Sequence, residues 1–522
     1  MTALTEAESS RTSQSAEAGT FCPRERRKFV LIAAILASAL GFIDGSILAI
    51  AIPAIRTDLS ASLVDAQWIS NAYALTLSAL ILVGGAAGDR FGLRKTFIVG
   101  IVLFVLASMA CAVAPDAKTL IAFRAVQGIG AAIMVPCSLA IIAKAYPKSE
   151  RGQAIGIWAA ASALTTALGP VIGGFVLSSF DPSIWRAIFA INLPLGGLAV
   201  FILATKVPAD HPTARRALDL AGAGLATIGF GALAFGLTAL SAEDESSGTL
   251  AALVAIAIGL VVLAVFVVWE LRQRDPMVEL KLFANRPFSG ANIATFFLYF
   301  SLSAIMFYLP MLLIVGWGLT SAEVGFTFVP LSAAIALLSR RIGKWSDRIG
   351  ARVPIALGSL LVAVAFAGLA VIAGLGIHAF WAGVFPMMVV MGFGMALVVS
   401  PLSTAIMTSV DDRDTGAASG INNAVARIAG LFAVAAMGAV AAAAYMMAVG
   451  DAGQGLPGYG EPVARQLAPT LEALRLAASD SAFAAVAFIT ALLCVASAVV
   501  AWLSVANEPT ASAAAHRTVL EN

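Results

Sequence analysis

Long apolar blocks alternate with short polar connections along almost the whole chain. Each block is long enough to cross a bilayer as a helix, which takes about 20 residues. The longer blocks fit helices that tilt or that extend beyond the bilayer. The pattern therefore predicts an all-α membrane protein with fourteen spans, at 29–53, 68–88, 96–114, 119–142, 152–178, 186–205, 219–240, 250–270, 288–313, 322–341, 353–375, 379–409, 416–448 and 482–505.

The amino-acid composition agrees with this pattern. Of the 522 residues, 60% are hydrophobic and 12% are charged, which is about half the charged fraction of an average soluble domain. The net charge of +2 gives no indication of nucleic-acid binding. The cysteines are too scattered for a disulfide framework or a metal site, and no cofactor is expected. There are four of them: Cys22, Cys111, Cys137 and Cys494.

Lys and Arg residues predict the orientation, because they accumulate in cytoplasmic connections. With both termini cytoplasmic, the tails and the even-numbered connections carry 25 of the 32 Lys and Arg residues. Two more, Arg124 and Arg427, lie inside spans. We therefore expect a multi-pass protein of the inner cell membrane. The opposite face carries only five basic residues: Arg56, Lys118, Arg186, Arg465 and Arg475.

A charged turn between spans 2 and 3 returns 258 positions later, between spans 10 and 11. The register shifts by eight spans, so the chain reads as a six-span unit, two extra spans and a second six-span unit. Two such parallel units, related by an axis along the membrane normal, are typical of secondary transporters. The first copy contains Gly85, Asp89, Arg90, Gly92, Arg94 and Lys95, and the second contains Gly343, Asp347, Arg348, Gly350 and Arg352.

This repeat divides the chain into five parts. The extra spans at 219–240 and 250–270 should form a peripheral hairpin, because they carry no ionisable residue deep inside. A short surface helix is expected within Glu461–Ala478. The parts are a disordered cytoplasmic tail at 1–28, an N-terminal six-helix bundle at 29–205, a linker with two helices at 206–287, a C-terminal bundle at 288–505 with an extracellular loop at 450–481, and a cytoplasmic tail at 506–522.

Asp44 is the one acidic residue placed deep inside a span. An ionised carboxylate there costs roughly 2.5 to 3.5 kcal/mol even on lenient scales. Burial should favour its protonated form, so Asp44 could gain and lose a proton during a transport cycle. The alternative is a structural Asp whose charge is satisfied by its neighbours.

Arg124 is the predicted partner of Asp44. Counted from the same membrane face, the two residues differ in depth by only about 6 Å, which a long Arg side chain can bridge. A substrate or a movement that separates them would then create a proton-accepting site. The alternative is that Arg124 bonds helix carbonyls.

Two further groups of residues are candidates for gating. Asp89 could cap a helix of the other bundle. The basic residues of the same turn could reach acids of the second bundle on the same membrane face; the alternative is a basic membrane anchor. These basic residues are Arg90, Arg94 and Lys95, and the acids are Asp411, Asp412 and Asp414.

Span 5 carries a proline, which kinks a helix, among small residues, which allow close helix contact. This group could form a hinge or a seam between helices; the alternative is ordinary helix packing. It consists of Gly169, Pro170, Gly173 and Gly174.

A pocket for substrate is predicted in the second bundle. Aromatic and thioether side chains suit varied apolar or cationic compounds. The alternative is that this stripe faces lipid or packs between helices. The candidates are Asn292, Phe296, Tyr299, Phe300 and Phe307 of span 9, Met391 of span 12, and Arg427, the one charged residue deep in the second bundle.

Together these residues resemble the fourteen-span drug:proton antiporters of the major facilitator superfamily, of the EmrB/QacA type. The charged turns match the superfamily's loop signature, and several further segments match the antiporters over nearly the whole chain after residue 28. Ala161 and Thr165 replace earlier glycines of the span 5 signature, and span 10 lacks a buried acid. The matching segments are Asp44 to Pro53, Arg124 with Gln127 and Gly128, Gly169 to Gly174, Trp185-Arg186 with Asn192 and Pro194, and Asp275-Pro276 with Leu282-Phe283.

The resemblance implies proton-driven export of hydrophobic or monocationic drugs, multidrug efflux and antibiotic resistance, by alternating access and without enzymatic activity. Dications are a less expected substrate because of the missing acid in span 10. The implied partners are a small-molecule substrate, protons and the lipid bilayer, with a periplasmic adaptor protein as an optional one.

Other functions are weighed against this one. A dedicated metabolite exporter or an uptake symporter would share the same pattern. A polytopic membrane enzyme or lipid transferase usually needs clustered acids, histidines or a metal site, and an ATP-driven pump needs a phosphate loop ending in Gly-Lys-Ser/Thr; the sequence has neither. A channel would not need a lone titratable Asp beside duplicated gates.

Overall fold

The structure is a computed structural model that describes residues 21–210, 212, 218–241, 247–411, 414–450, 455–463 and 467–506. Most of both predicted tails lies outside the described residues, which include only 21–28 and 506 of them. Asp412 and parts of the 450–481 loop also lie outside the described residues. In the described part all regular secondary structure is helical, and fourteen helices can span a membrane, as predicted. They are α1 Arg24–Leu59, α2 Leu63–Phe91, α3 Leu93–Ala112, α4 Ala117–Ala145, α5 Ser149–Ser179, α6 Pro182–Lys206, α7 Leu220–Ala239, α8 Gly248–Arg272, α9 Arg286–Gly316, α10 Ser321–Ile349, α11 Arg352–Gly374, α12 Phe380–Thr408, α13 Thr415–Val449 and α14 Pro469–Ser504.

Short polar sequences define where several helices begin. Ser62 and Asp65 form a capping box at the start of α2, and Thr320 and Glu323 form another at the start of α10. Each box satisfies backbone N–H groups that have no partner within the helix. Between such ends the apolar chain must be helical, because a bilayer offers no water to bond the backbone. The even number of spans places both chain ends on one side, here called the terminal face; the other side is the opposite face.

The last helix is longer than predicted. It begins at Pro469 rather than at residue 482, so the expected separate surface helix is the first part of α14. Polar contacts support these early turns outside the apolar region. Arg475 forms an ion pair of 2.6 Å with Glu472, and Asp480 accepts a hydrogen bond of 2.7 Å from the indole of Trp317.

The two six-helix bundles repeat one packing pattern. In the first bundle the packed pairs include α1/α5, α2/α4, α3/α4, α1/α6 and α3/α6. Eight helices later the same pairs recur as α9/α13, α10/α12, α11/α12, α9/α14 and α11/α14. This repetition confirms two pseudo-symmetric bundles and agrees with the 258-residue offset of the charged turns.

The contacts between the bundles follow the same symmetry. Helix α2 of the first bundle packs on α13 of the second, and α10 of the second packs on α5 of the first. The hairpin α7/α8 lies outside the first of these seams, where α7 touches both α2 and α13. Ring contacts join it to each bundle: Trp68 lies 6.3 Å from Phe235, and Phe230 lies 6.0 Å from Phe432. The hairpin therefore supports the contact between the two bundles.

Candidate functional site

The buried carboxylate of α1 lies in a closed hydrogen-bonded network with α4. Arg124 Nη1 donates to Asp44 Oδ2 at 2.6 Å and to Gln127 Oε1 at 2.7 Å. Gln127 Nε2 donates to Asp44 Oδ1 at 3.0 Å, which completes the triangle. The structure thus brings Asp44 and Arg124 together as the depth argument predicted, and adds Gln127. Its spacing of three residues from Arg124 places it on the same helix face, and this was the signal available in the sequence.

Neighbouring groups hold the guanidinium in place and keep water out. Arg124 Nε donates to the Ile69 carbonyl oxygen at 3.0 Å, and its guanidinium lies 4.3 Å from the ring centre of Tyr73 and 5.7 Å from that of Phe189. Asp44 and Arg124 are each only 1% exposed. Removing one member of such a desolvated pair leaves an uncompensated charge, so the network can change only as a unit.

A cavity of about 930 Å³ lies between the two bundles. Helices α1, α2, α4 and α5 line one side, and α9, α10 and α13 line the other. The lining extends to Asp89 and Gly416, at the terminal-face ends of α2 and α13, and to Asp275 and Glu279 in the connection after α8. The cavity is therefore accessible from the terminal face.

The carboxylate network lies beside this cavity rather than in its wall. Tyr73 lines the cavity and also covers the guanidinium of Arg124, while the lining includes Gly45 and Ser46 next to Asp44. The carboxylate itself is directed into the first bundle, toward α4. Tyr73 therefore connects the cavity wall with the hydrogen-bonded network.

Arg427 of α13 is the predicted pocket residue that lines the cavity. It lies within electrostatic range of Tyr73 and Tyr299. Among the described residues it has no ion pair or side-chain hydrogen bond, and its Nε is buried without an acceptor. The cavity wall therefore carries a cation that the surrounding protein does not neutralise.

The other predicted pocket residues do not line the cavity in this conformation. Asn292 is buried within the second bundle, where it donates to the Phe288 carbonyl oxygen at 2.9 Å. Phe296 stacks against Phe300 with ring centres 6.1 Å apart. The second bundle's core contains three of the predicted pocket residues, which pack between helices in this conformation, and substrate binding at these positions stays a prediction. These core residues are Phe300, Phe307 and Met391.

The charged turn between α2 and α3 is anchored within its own bundle. Gly92 adopts a φ of 93°, a left-handed conformation that favours glycine. Arg94 donates to the carbonyl oxygens of Leu203 and Ala204 at 2.8 and 2.6 Å, and so caps the C-terminus of α6. The predicted reach of Arg94 across the divide is therefore absent in this conformation. Asp89 does face the other bundle, because it lines the cavity with Gly416 at the start of α13.

The second charged turn repeats this anchoring. Gly350 has a φ of 88°, and Arg352 Nε donates to the Val505 carbonyl oxygen at 2.8 Å, at the end of α14. Gly343 packs near Ser400 of α12. In the first charged turn, Arg90 lies over the Phe91 ring. The following residues of the turns stay gating predictions: Gly85, Arg90, Lys95, Asp347 and Arg348.

Asp210 is an anchoring residue of the charged turn that the sequence did not indicate. Its carboxylate accepts hydrogen bonds from the backbone N–H groups of Leu93 and Arg94, each at 2.9 Å, and from Lys144 Nζ at 2.9 Å. Burial alone would raise the pKa of Asp210, but these hydrogen bonds outweigh it and hold the pKa below its usual value. The loop after α6 thereby anchors the charged turn to α4.

Asp210→Asn should destabilise the protein by about 2 kcal/mol at neutral pH, because charge-assisted hydrogen bonds to a buried carboxylate are lost. A depressed pKa stabilises the fold above the unfolded-state value of about 4 and loses this effect as the pH falls through the native value. Thermal unfolding in detergent should therefore show a difference from wild type that shrinks below about pH 4. Asp181→Asn, at an exposed Asp without a capping bond, is the matched control. Equal losses in both variants would refute the assignment.

The Gly-Pro segment of α5 forms the second seam between the bundles. A Cβ on Gly174 would overlap the carbonyl oxygen of Ser321 in α10, and one on Gly325 would lie 2.7 Å from the carbonyl oxygen of Pro170. On the other side of α5, a Cβ on Gly173 would lie 2.7 Å from Ile47 of α1, and Gly169 has similarly little space. Backbone therefore meets backbone across the divide, as a seam requires.

Gly174→Val should slow transport about 10-fold or more. The added side chain overlaps α10, and overpacking of this kind costs roughly 1 to 3 kcal/mol, so the closed seam becomes less populated. Initial transport rates in proteoliposomes measure the effect. Gly156→Val, on the same helix with no heavy atom within 4 Å of the new Cβ, is the control. A Gly174→Val rate equal to that of Gly156→Val would contradict the seam.

Polar contacts close the opposite face. Gln67 of α2 donates to the Tyr308 hydroxyl at 2.8 Å and to the Val434 carbonyl oxygen at 3.1 Å. Arg56, at the end of α1, donates to the carbonyl oxygens of Tyr459 and Gly460 and lies 3.3 Å from a Glu461 oxygen. The described part of the 450–481 loop thus fastens the second bundle to the first. The cavity is therefore open at the terminal face, whereas hydrogen bonds between the bundles close the opposite face.

Comparisons with known proteins agree with this architecture. A sequence model of the Major Facilitator Superfamily matches residues 34–434. The chain is 31% identical over 428 residues to the multidrug resistance protein Stp of Mycobacterium tuberculosis, covering 78% of this chain and 75% of that protein. It is 30% identical over 417 residues to the tetracenomycin C resistance and export protein of Streptomyces glaucescens, again covering 78% and 75%.

A solved structure has a similar fold. The crystal structure of a bacterial homologue of the human lysosomal transporter Spinster, in an inward-facing and unoccupied conformation, matches with a TM-score of 0.64. The match covers 92% of this chain and 97% of that one. At 18% sequence identity, the likeness concerns the fold alone.

Proposed function

This chain belongs to the major facilitator superfamily, and on that premise we propose that it is a proton-coupled antiporter that exports hydrophobic, drug-like compounds by alternating access. It is a multi-pass membrane transporter and not an enzyme. The observation that carries the proposal is the Asp44–Arg124–Gln127 network, a titratable carboxylate held in the membrane interior beside a cavity between two bundles. One relative is named as a multidrug resistance protein and another as a resistance and export protein, and these names support the direction of transport.

The ion pair provides the coupling. In the present conformation Asp44 is bound to Arg124 at 2.6 Å, so the ion pair is formed. Protonation of Asp44 removes the charge that holds Arg124, and the network with Gln127 must then rearrange. Because Tyr73 contacts Arg124 and lines the cavity, this rearrangement reaches the substrate space directly. Proton and substrate would therefore occupy the protein in turn.

The seams between the bundles provide the alternating access. To open the opposite face, the bundles must break the Arg56 and Gln67 contacts and separate α5 from α10. The charged turn that holds Asp89 then approaches the start of α13 and closes the terminal face. The anchored arginines, Arg94 and Arg352, allow each bundle to move as a rigid body, because they tie each turn to its own bundle.

The proton gradient supplies enough free energy for export. One proton that falls through 100 mV and one pH unit releases about 3.7 kcal/mol. For a neutral substrate exchanged one to one, this free energy sustains a concentration ratio of roughly 500-fold. One titratable site of the kind formed by Asp44 is sufficient for this ratio.

Reconstituted protein tests the proposal. Two permanently charged xanthene dyes serve as probes: rhodamine 6G, a monocation, and sulforhodamine B, a monoanion. An imposed pH gradient should drive at least one dye against its concentration, while pyranine reports an opposite proton flux, and nigericin should abolish both. Dye and protons moving in the same direction would identify an uptake symporter instead. Dye flux without any proton flux would contradict proton coupling.

We also propose that the terminal face is cytoplasmic and that the protein lies in the inner cell membrane. The excess of Lys and Arg on that face, 25 of 32 residues, supports this orientation. Reporter fusions to the two termini test it, because an enzyme active only outside the cytoplasm should stay silent at both ends. A periplasmic adaptor protein stays a prediction.

A further inference from the structure

We infer that the cavity selects acidic aromatic compounds, with Arg427 binding their anionic group, rather than the monocations that the sequence resemblance implied. The inference rests on the proposed transport function and specifies its substrate class. It starts from the cavity wall, where one guanidinium has no protein partner among the described residues.

The charges around the cavity differ between its rim and its inner end. At the rim, near the terminal face, the lining contains four acidic residues. Farther in, Asp44 is paired with Arg124 and is only 1% exposed, so it offers no free carboxylate to a cation. A monocation at the inner end would meet the positive charge of Arg427 alone. The rim residues are Asp89, Asp219, Asp275 and Glu279.

The surroundings of Arg427 suit an anion attached to an aromatic body. Its guanidinium can form two parallel hydrogen bonds with a carboxylate or a sulfonate, a geometry that a lysine does not offer. Asn423, one helical turn away, adds an amide to the same wall. The cavity lining also contains Phe42 of the first bundle and Met306 and Phe328 of the second, which supply apolar and polarisable surface for rings.

A purely structural role explains this arginine less well. Arg124 shows what a structural arginine looks like in this protein: every bond that it forms is to a carboxylate, an amide oxygen or a backbone carbonyl. The neighbouring Asn422 is also satisfied, since it donates to Thr295 Oγ1 at 2.8 Å. Arg427 Nε, in contrast, is buried without any acceptor. A buried donor without an acceptor is unfavourable, and an acidic ligand would supply the acceptor.

The charge of the substrate also determines how transport responds to voltage. Exchange of a monocation for one proton moves no net charge, whereas exchange of a monoanion moves two charges in the same electrical direction. A potential of 100 mV changes the sustained ratio by about 50-fold per charge. Voltage alone should therefore sustain about 2,500-fold for sulforhodamine B and no gradient for rhodamine 6G.

Dye binding in detergent tests the inference without relying on transport. Sulforhodamine B should bind the wild-type protein more tightly than rhodamine 6G does, as measured by fluorescence anisotropy. Arg427→Gln should weaken sulforhodamine B binding about 10- to 100-fold, since a charge-assisted hydrogen bond is lost, and should strengthen rhodamine 6G binding. Lys118→Gln, which removes the same charge from an exposed site on the opposite face, should change neither affinity.

Further measurements keep the test decisive. Arg427→Lys should recover part of the sulforhodamine B affinity, and thermal unfolding identifies a variant that fails to fold. Tighter binding of rhodamine 6G by the wild type, with sulforhodamine B unaffected by Arg427→Gln, would overturn the inference. Selective binding of sulforhodamine B without proton flux in vesicles would keep the inference and overturn the proposed antiport. Proton-coupled transport of rhodamine 6G, without transport of sulforhodamine B, would keep the proposed antiport and overturn the inference.

Discussion

Asp44→Asn should reduce the dye gradient that an imposed difference of one pH unit sustains from about 10-fold to none. Asparagine cannot exchange a proton, yet it keeps the size of the aspartate, and its one side-chain oxygen can still accept from Arg124 while its NH2 group replaces the second carboxylate oxygen. The variant should therefore still bind dye and equilibrate it across the membrane, because the cavity and the seams are unchanged. The measurement compares accumulation under an imposed pH gradient with exchange at equilibrium in the same proteoliposomes.

The control for this variant is Asp181→Asn, which removes a carboxylate from an exposed connection on the opposite face. It should transport like the wild type in both assays. Full accumulation by Asp44→Asn would show that another residue carries the coupled proton. Loss of equilibrium exchange together with accumulation would show a structural defect rather than an uncoupled transporter.

Arg124→Gln should destabilise the protein by about 3 to 5 kcal/mol, because it leaves the Asp44 carboxylate buried and uncompensated. The double variant Asp44→Asn/Arg124→Gln should recover much of this loss, since both charges are then absent. Thermal unfolding in detergent over the four proteins of the cycle measures the coupling. Simple addition of the two single effects would mean that the residues do not act as one network. The double variant should nevertheless stay unable to accumulate dye.

The architecture could be predicted because its signals are local or repeated. Apolar blocks mark the spans, and Gly92 and Gly350 recur at one offset with the same left-handed conformation. The start of the last helix was harder to place, because hydropathy follows the bilayer and not the helix. The turns from Pro469 onward are stabilised by side-chain contacts such as Glu472 with Arg475.

The candidate site was predictable where depth alone decides which residues can meet. Asp44 and Arg124 are charged residues at similar depth in an apolar setting, so few other partners are available to either. Asp210 could not be found in this way, because its partners lie 66 to 117 residues away along the chain and the contact depends on how the loop folds back.

The aromatic stripe of α9 shows the limit of helical periodicity. Periodicity groups side chains such as Phe300 and Phe307 on one face, but it does not say whether that face meets a cavity, lipid or another helix. In the structure this face meets the core of the second bundle. Arg427 is the exception among the pocket candidates, because burying its charge in that core without a partner would be far more costly than placing it on the cavity wall.

The pH dependence of dye affinity tests the central claim most directly, because both probes keep their charge at every pH used. If substrate and proton bind in turn, protonation of Asp44 must weaken dye binding as much as dye weakens protonation. The wild-type dissociation constant should then rise toward low pH, by up to about tenfold per pH unit, and that of Asp44→Asn should be flat. A flat wild-type profile, or an unchanged slope in Asp44→Asn, would contradict proton exchange at this carboxylate.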